Sequence, residues 1–352
     1  MKIGIVSVPD AANFGSFLQA YCLQITLQKL GHEVYFIRTR SKKYINNLFC
    51  PFNIYRVAKH PLREINNLIF MQQQKKYYEK CWQKFSIIDE KETELDIIIL
   101  GSDAIWSVKS EIFRAPIFYG IGLKCKSIKT YAVSVGGMKS YEDFVKYDYI
   151  VNAIKTLQPP LVRDNLTKDY VDRIRGDESL LVCDPTFLID TAEYTEDFCF
   201  ASLAGKKYML IYAYYVNERM KNYIQKFANA QNLLVVSVGF RYDWCDYSLH
   251  CSPLQFSSVI KNAEYIYAAS FHGVVFSLLN NKTFVTTDAV IKAKSLLNDV
   301  FSVNDMILSE SIEYQDFEDK LVKFNIDYLD IRDKILKFRK NSIEALRNSL
   351  QI

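Results

Sequence analysis

Short apolar runs alternate with longer amphipathic segments over most of this chain. In the first half the runs are Ile3–Val8, Val34–Ile37, Ile97–Leu100, Thr130–Val135, Leu161–Val162 and Leu180–Cys183. Runs this short and apolar, separated by polar stretches, predict buried strands. The clearest helix between them is Phe17–Leu30. Its Leu18, Tyr21, Ile25 and the Leu27/Leu30 pair form one apolar face, and Gly31 supplies the stop. A second series starts near residue 207. It has strands at Tyr208–Tyr212, Leu233–Val238 and Thr283–Thr286 and an amphipathic helix at Glu218–Asn229. Such alternation predicts an α/β protein with mostly parallel sheets covered by helices on both sides. The polar stretch Asp190–Asp197 reads as the join, giving expected domains at 1–192 and 193–352. A ligand is then expected in the cleft between them, at the C-terminal ends of the strands.

The segment Tyr265–Leu279 carries the most chemistry. An apolar, aromatic run (Tyr265-Ile-Tyr-Ala-Ala) is interrupted by Ser270, His272 and Gly273, and Val274, Val275, Phe276, Leu278 and Leu279 then resume with helical character. A strand–turn–helix unit leaves unpaired N–H groups at the helix start, and these attract an anion. His272 is one of only four histidines and is placed to exchange a proton with that anion. The competing reading is a serine cap beside an incidentally buried histidine.

Two segments stand outside the alternation. Residues 54–85 are basic, aromatic and helical in pattern; a solvated helical insertion is the preferred reading over a membrane-surface helix. Residues 328–350 read as a long terminal helix, packed on the second domain or crossing back to brace the first.

Size and composition then narrow the class. With 352 residues there is room for two domains, and 49% hydrophobic with 24% charged residues is ordinary for a globular protein. A net charge of +4 is too small to argue for nucleic acid. No apolar run approaches the roughly 20 residues needed to span a bilayer. Met1-Lys-Ile-Gly-Ile-Val-Ser-Val enters directly into a strand-like run, so no export signal is expected, and the eight scattered cysteines without a CxxC pair are expected to be reduced thiols of a cytoplasmic protein. The turn after the first strand lacks a GxGxxG pattern, which disfavours a dehydrogenase. No metal is expected, since no His/Cys/Asp cluster has ligand spacing.

Four motifs in order bring a family into view: Asn13-Phe-Gly-Ser-Phe-Leu-Gln-Ala-Tyr21, Gly101-Ser-Asp-Ala-Ile-Trp106, Cys183-Asp-Pro-Thr186 and Ser270-Phe-His-Gly273. Together they resemble the polysaccharide pyruvyl transferase family, from about residue 1 to about 310. The resemblance implies two Rossmann-like domains in a GT-B-like arrangement. It also implies transfer of the carbons of phosphoenolpyruvate to two hydroxyls of a sugar, giving a pyruvate ketal and phosphate. Phosphoenolpyruvate is then a substrate, and no cofactor is expected. The acceptor would be a sugar or a lipid-linked oligosaccharide of exopolysaccharide or capsule synthesis. Such an acceptor would be met at the inner face of the plasma membrane, with peripheral association there.

Within that reading His272 is the candidate general acid or phosphate holder. Ser270, His272 and Gly273 supply the donor turn, and Arg163 offers a guanidinium fork to a carboxylate or phosphate, or else forms a structural salt bridge with Asp164 or another acid. Some relatives carry an arginine at the position of Ser270, and Lys294 is the candidate to supply the missing cation. Many carry a glutamine where this chain has Ala104. Asn13, Gly15 and Gln19 at the first turn are candidates for the acceptor sugar, or else a helix cap and a solvated glutamine. Ser102 and Asp103 at the second turn join them, with Asp103 also a candidate base. Trp106 is either a stacking face or core. Asp184 is expected to cap a strand exit. Two alternatives remain: a GT-B glycosyltransferase using a nucleotide sugar, and a non-catalytic sugar-binding protein.

Overall fold

The computed structural model describes residues 1–50, 58–89, 94–323 and 326–351. The first four residues of the expected insertion, 54–57, lie outside these.

Two parallel sheets organise the molecule. The first contains β1 (Lys2–Val6), β2 (Glu33–Ile37), β3 (Ile87–Ile88), β4 (Ile97–Leu100) and β5 (Ser127–Thr130) in the order β3-β2-β1-β4-β5. A two-stranded extension, β6 (Leu161–Val162) with β7 (Leu180–Leu181), follows it. The second sheet contains β8 (Tyr208–Ala213), β9 (Leu234–Val238), β10 (Tyr247–Leu249), β11 (Tyr265–Ala269), β12 (Phe284–Thr287) and β13 (Ile307–Leu308) in the order β10-β9-β8-β11-β12-β13. Each is a doubly wound sheet whose strand order reverses beside its first strand. That reversal opens a crevice at the C-terminal ends of β1 and β4, and another at those of β8 and β11.

Period-2 alternation decides what each strand face meets. Ile3 and Ile5 of β1, Ile97 and Ile99 of β4, and Leu210 and Tyr212 of β8 all point into one core shared by the two sheets. The intervening Val6, Ile98 and Leu100 face a separate core outside the first sheet, while Met209, Ile211 and Ala213 face one outside the second.

Helix α1 (Phe14–Lys29) lies in the shared core, with most of its residues buried. A helix covered on nearly every side needs no narrow apolar stripe, which explains the loose drift of its pattern. It starts three residues before the expected Phe17 because Asn13 caps it. The Asn13 side-chain oxygen accepts from the N–H groups of Gly15 (2.7 Å) and Ser16 (3.2 Å). Phe14 is sandwiched between Tyr78 and Tyr212, at 5.5 and 5.7 Å between ring centroids.

The expected strand 130–135 begins earlier, at Ser127, and the chain leaves the sheet after Thr130. Val133 bridges instead to Asp103 on one side and Val162 on the other, carrying the pairing over to β6. The stretch 190–197 is no free linker: Tyr194 is buried, and the Glu196 N–H donates to the Leu254 carbonyl at 2.9 Å.

Two further helices tie the halves together. After α2 (Lys42–Leu48), α3 (Pro61–Trp82) stacks Phe70 on His250 at 4.0 Å and sends the Gln74 amide to the Cys251 carbonyl at 2.7 Å. Its Leu62, Ile65 and Ile69 remain exposed. The terminal helix, Tyr328–Ser349, packs on the second half but also reaches back. The Cys183 N–H donates to the Ser342 hydroxyl (2.9 Å), and the Arg339 guanidinium donates to the Phe187 and Ile189 carbonyls. Among the described residues no helix is long and apolar enough to cross a membrane. All eight cysteines are free thiols.

Candidate functional site

The turns that leave β1, β4, β8 and β11 converge on a cavity of about 480 Å³. Asn13 and Asp103 come from the first half, and Tyr214, Ser270 and His272 from the second. Lys109, Lys139 and Lys292 complete a cationic lining.

The β11 turn has the local form expected of it. Ser270 caps the helix Phe271–Leu279, its hydroxyl accepting from the Gly273 N–H at 3.1 Å. The Phe271 and His272 N–H groups are left without intrahelical acceptors, as at any helix start. Gly273 is buried and packs tightly on Tyr212 and Ala268, so its role is close approach to the sheet.

His272 is buried, and its position is set by Gly15. A Cβ on Gly15 would lie 1.9 Å from the imidazole Nδ1, so only glycine leaves room for the ring. The other ring nitrogen, Nε2, lies 3.5 Å from the Asp184 carboxylate and has no hydrogen-bond partner. Asp184 caps the turn Pro185–Phe187: Oδ1 accepts from the Thr186 N–H (3.1 Å) and hydroxyl (2.7 Å). Its second oxygen, Oδ2, accepts from Arg163 at 2.8 Å. Arg163 follows β6, lies 3.5 Å from Asp103, and places its guanidinium 4.6 Å from the centre of the Phe271 ring. Lys292 approaches the same ring at 5.8 Å. Asp164, the other acid weighed as partner for Arg163, instead caps the helix Asn165–Arg175 by accepting from Thr167.

These charges fix the protonation of the acids. Burial pushes the Asp103 carboxyl up, but Arg163, Lys292, His272 and the Ser16 hydroxyl together outweigh it and hold it at about 2. Asp184 is likewise raised by burial, yet His272 and Arg163 bring it well below the usual carboxylate range. Burial and the Arg163 charge lower Lys292, partly offset by Asp103. At neutral pH the site therefore presents two carboxylates that orient cations and hydroxyls.

Asp103 takes its direction from a constrained turn. Gly101 has φ +136 and leaves a Cβ no room against the Tyr131 carbonyl, and Asp103 itself adopts the left-handed region at φ +77. One oxygen accepts from the Ala104 N–H (2.8 Å) and the other from the Ser16 hydroxyl (2.8 Å).

Not every expected residue reaches the cavity. Gln19 and Ser102 are fully buried and bond to each other, to Ser7 and to the Ser16 carbonyl. They form a polar layer beneath the two turns and are closed to a sugar. Trp106 is fully buried, stacks on Tyr119 and donates its indole N–H to the Phe118 carbonyl at 2.9 Å, so it offers no stacking face. Lys294 is exposed and outside the cavity, whereas Lys292, two residues earlier on the short helix Ile291–Ser295, lines it. Gly15 makes room for His272 rather than presenting itself to ligand.

Besides Lys292, four contributors were not singled out from sequence: Ser16, Tyr214, Lys109 and Lys139. Ser16 lies inside the first motif, one turn from Asn13, and its spacing was the available signal. The other three sit in stretches without a distinguishing pattern. The Asn13 amide donates to the Tyr214 hydroxyl, joining the two halves directly across the cavity.

A methyl group on Gly15 has to displace His272. Gly15→Ala is expected to cost about 1–3 kcal/mol as overpacking. Displacing the imidazole by about an ångström should lower turnover on the order of 100-fold. Activity and thermal denaturation of the variant check this; full activity would show that Gly15 does not set the histidine.

Among solved structures the chain is similar over nearly its full length to several proteins. The S. aureus MnaA–UDP co-structure aligns with a TM-score of 0.54 at 12% identity, covering 99% of this chain and 95% of that one. UDP-GlcNAc 2-epimerase from Neisseria meningitidis, bound to UDP-GlcNAc, aligns with a TM-score of 0.52 at 11% identity, covering 99% of each chain. AviGT4, a glycosyltransferase of avilamycin A biosynthesis, aligns at 0.51 and 11%, covering 99% and 96%. At such identities the likeness establishes the GT-B-like fold alone. A search of curated proteins finds no match. The sequence profile of the family described as polysaccharide pyruvyl transferase, however, matches residues 13–288. That span runs from the Asn13 cap through His272 to the end of β12, and the chain belongs to the polysaccharide pyruvyl transferase family.

Proposed function

We propose that this transferase takes phosphoenolpyruvate as donor and closes a pyruvate ketal on two hydroxyls of a polysaccharide or of its lipid-linked precursor. The observation that carries the reading is the His272–Asp184–Arg163 cluster at a cavity lined by three lysines. Phosphoenolpyruvate bears a phosphate and a carboxylate, and such dianionic ends need several cations with aimed N–H donors. Lys292, Lys109 and Lys139 supply positive charge, and the start of the Phe271–Leu279 helix supplies its dipole.

In this reading protonated His272 gives its proton to the methylene carbon of the donor. The double bond's electron pair forms the new C–H bond and leaves an oxocarbenium-like centre at the carbon bearing phosphate. The oxygen of the first sugar hydroxyl attacks that carbon and its proton is released. The C–O bond to phosphate then breaks and phosphate departs with the electron pair; the second hydroxyl's oxygen attacks the carbon to close the ketal, and its proton passes to the departing phosphate. The Asp184 carboxylate faces the imidazole, 3.5 Å from Nε2. Asp103, held ionised, accepts from and orients an acceptor hydroxyl. No cofactor enters these steps.

Action at the inner face of a membrane, where a lipid-linked acceptor would lie, is part of the proposal. Exposed Leu62, Ile65 and Ile69 on a helix carrying several lysines support it.

Phosphate release by purified protein from phosphoenolpyruvate, with a panel of nitrophenyl and lipid-linked hexosides, tests the reading. Acceptor-dependent release is expected, with none from nucleotide sugars. Turnover of a nucleotide sugar without any binding of phosphoenolpyruvate would overturn it.

A further inference from the structure

Beside the donor cavity lies a second and larger one of about 770 Å³, formed between α3 and the loops that follow β8 and β9. The size falls within the roughly 300–1,000 Å³ of ligand pockets. Tyr214 lines both cavities, so they are neighbours joined by one side chain.

The lining is of a different kind from that of the donor site. Tyr215, Phe240, Tyr242 and Trp244 line it along with Tyr214. Tyr214 and Tyr215 are 58% and 76% exposed, far more than tyrosines that serve a core. The Tyr214 ring is nevertheless held in an aromatic bank, packing on Phe240 at 4.7 Å, and nearby Tyr242 packs on Trp244 at 5.4 Å. The Tyr242 hydroxyl is fixed by donating to the Ala213 carbonyl at 2.9 Å.

A network of planar polar groups lines the same trough. Arg63 on α3 pairs with Asp243 at 3.3 Å, Arg241 pairs with the same carboxylate, and Arg241 also donates to Asn67 at 3.2 Å. Charges of both signs are interspersed, with Glu64, Glu218 and Lys221 also present. The donor cavity collects cations for an anion, whereas this one is balanced and suits a neutral, hydroxyl-rich ligand. Aromatic faces meet the C–H surfaces of pyranose rings, while carboxylates, amides and guanidinium groups meet their hydroxyls.

We propose that this trough is the subsite for the saccharide residues of the acceptor beyond the sugar that reacts. The inference rests on the pyruvyl-transfer reading for the identity of the reacting sugar's neighbour, but the binding it asserts is measurable without the donor. Tyr214 and its partner Asn13 mark the threshold. The reacting sugar sits on the donor side, and the next residues lie along Tyr215 and Trp244.

The test titrates nitrophenyl mono-, di- and trisaccharides of β-linked galactose, glucose, mannose and N-acetylglucosamine into the full chain, without phosphoenolpyruvate. In at least one series affinity is expected to rise with length. Tyr215→Ala, whose ring is mostly exposed and contributes little packing, should remove about tenfold of that gain. Trp244→Ala should do the same, with the KM for phosphoenolpyruvate unmoved in both. Length-dependent binding that both variants retain, or no length dependence in any series, would overturn the subsite. Length-dependent binding lost in the variants, with no phosphate release by the wild type, would keep the subsite and instead sink the pyruvyl reading.

Discussion

His272→Ala is expected to release phosphate from phosphoenolpyruvate between 100- and 10,000-fold more slowly than the wild type, the range lost when a positioned general acid is removed. The fold should survive, because Arg163 stays on the buried Asp184 carboxylate when the ring is removed. The informative comparison is with the donor's apparent affinity. A proton donor gives a fall in kcat with a modest change in the KM for phosphoenolpyruvate, whereas a pure phosphate holder moves the KM first. His272→Gln separates these further, since the amide keeps a hydrogen-bond donor but carries no transferable proton. Activity within tenfold of wild type in either variant would remove His272 from the chemistry.

Arg163→Met should have the largest effect on stability. The guanidinium is 2% exposed and faces Asp184, which is fully buried, and Asp103, which is nearly so. Methionine fills much of the same volume but takes the nearest cation from one fully buried and one largely buried carboxylate, a loss of about 3–5 kcal/mol. The pH dependence carries the same signature. In the wild type Asp103 titrates near 2, below its ordinary 3.8, so its contribution is present above pH ~4 and is lost as the pH falls towards 2. Asp184 is depressed in the same direction. Without Arg163 each carboxyl loses a cation that lowers it and rises, so acid unfolding should begin at a higher pH. Urea denaturation from pH 3 to 8 checks both statements. A variant as stable as the wild type, with an unchanged acid limb, would show that the guanidinium does not hold these acids.

The alternation of runs was enough to predict parallel sheets, because strands buried on both faces read as continuous apolar stretches and few other structures do. The turns at Asn13, Gly101 and Ser270 were legible for a related reason: glycine and small polar residues interrupting apolar runs mark the places where a chain leaves a sheet. Side-chain direction was much less so. Lys292 and Lys294 stand two apart on one short helix and point different ways, and nothing in Ile291-Lys-Ala-Lys distinguishes the one that faces the cavity. Trp106 has the composition of a sugar platform and the environment of a core residue. Asp184 was readable as a cap, but its second oxygen meets Arg163 and His272 only through pairings between segments 21 and 88 residues away, which local pattern does not encode.

The shared core between the two sheets sets how this enzyme can meet a polymer. α1 belongs to the first half by sequence yet is packed by Tyr212 and Phe256 of the second, and the terminal helix hooks back onto Cys183 and Phe187. Swinging the halves apart would expose such side chains at roughly 1.5–3 kcal/mol apiece. A clamshell that engulfs its substrate is therefore costly here, and the jaws are in effect riveted. A fixed bench of this kind is assembled before anything arrives and can be approached from the side.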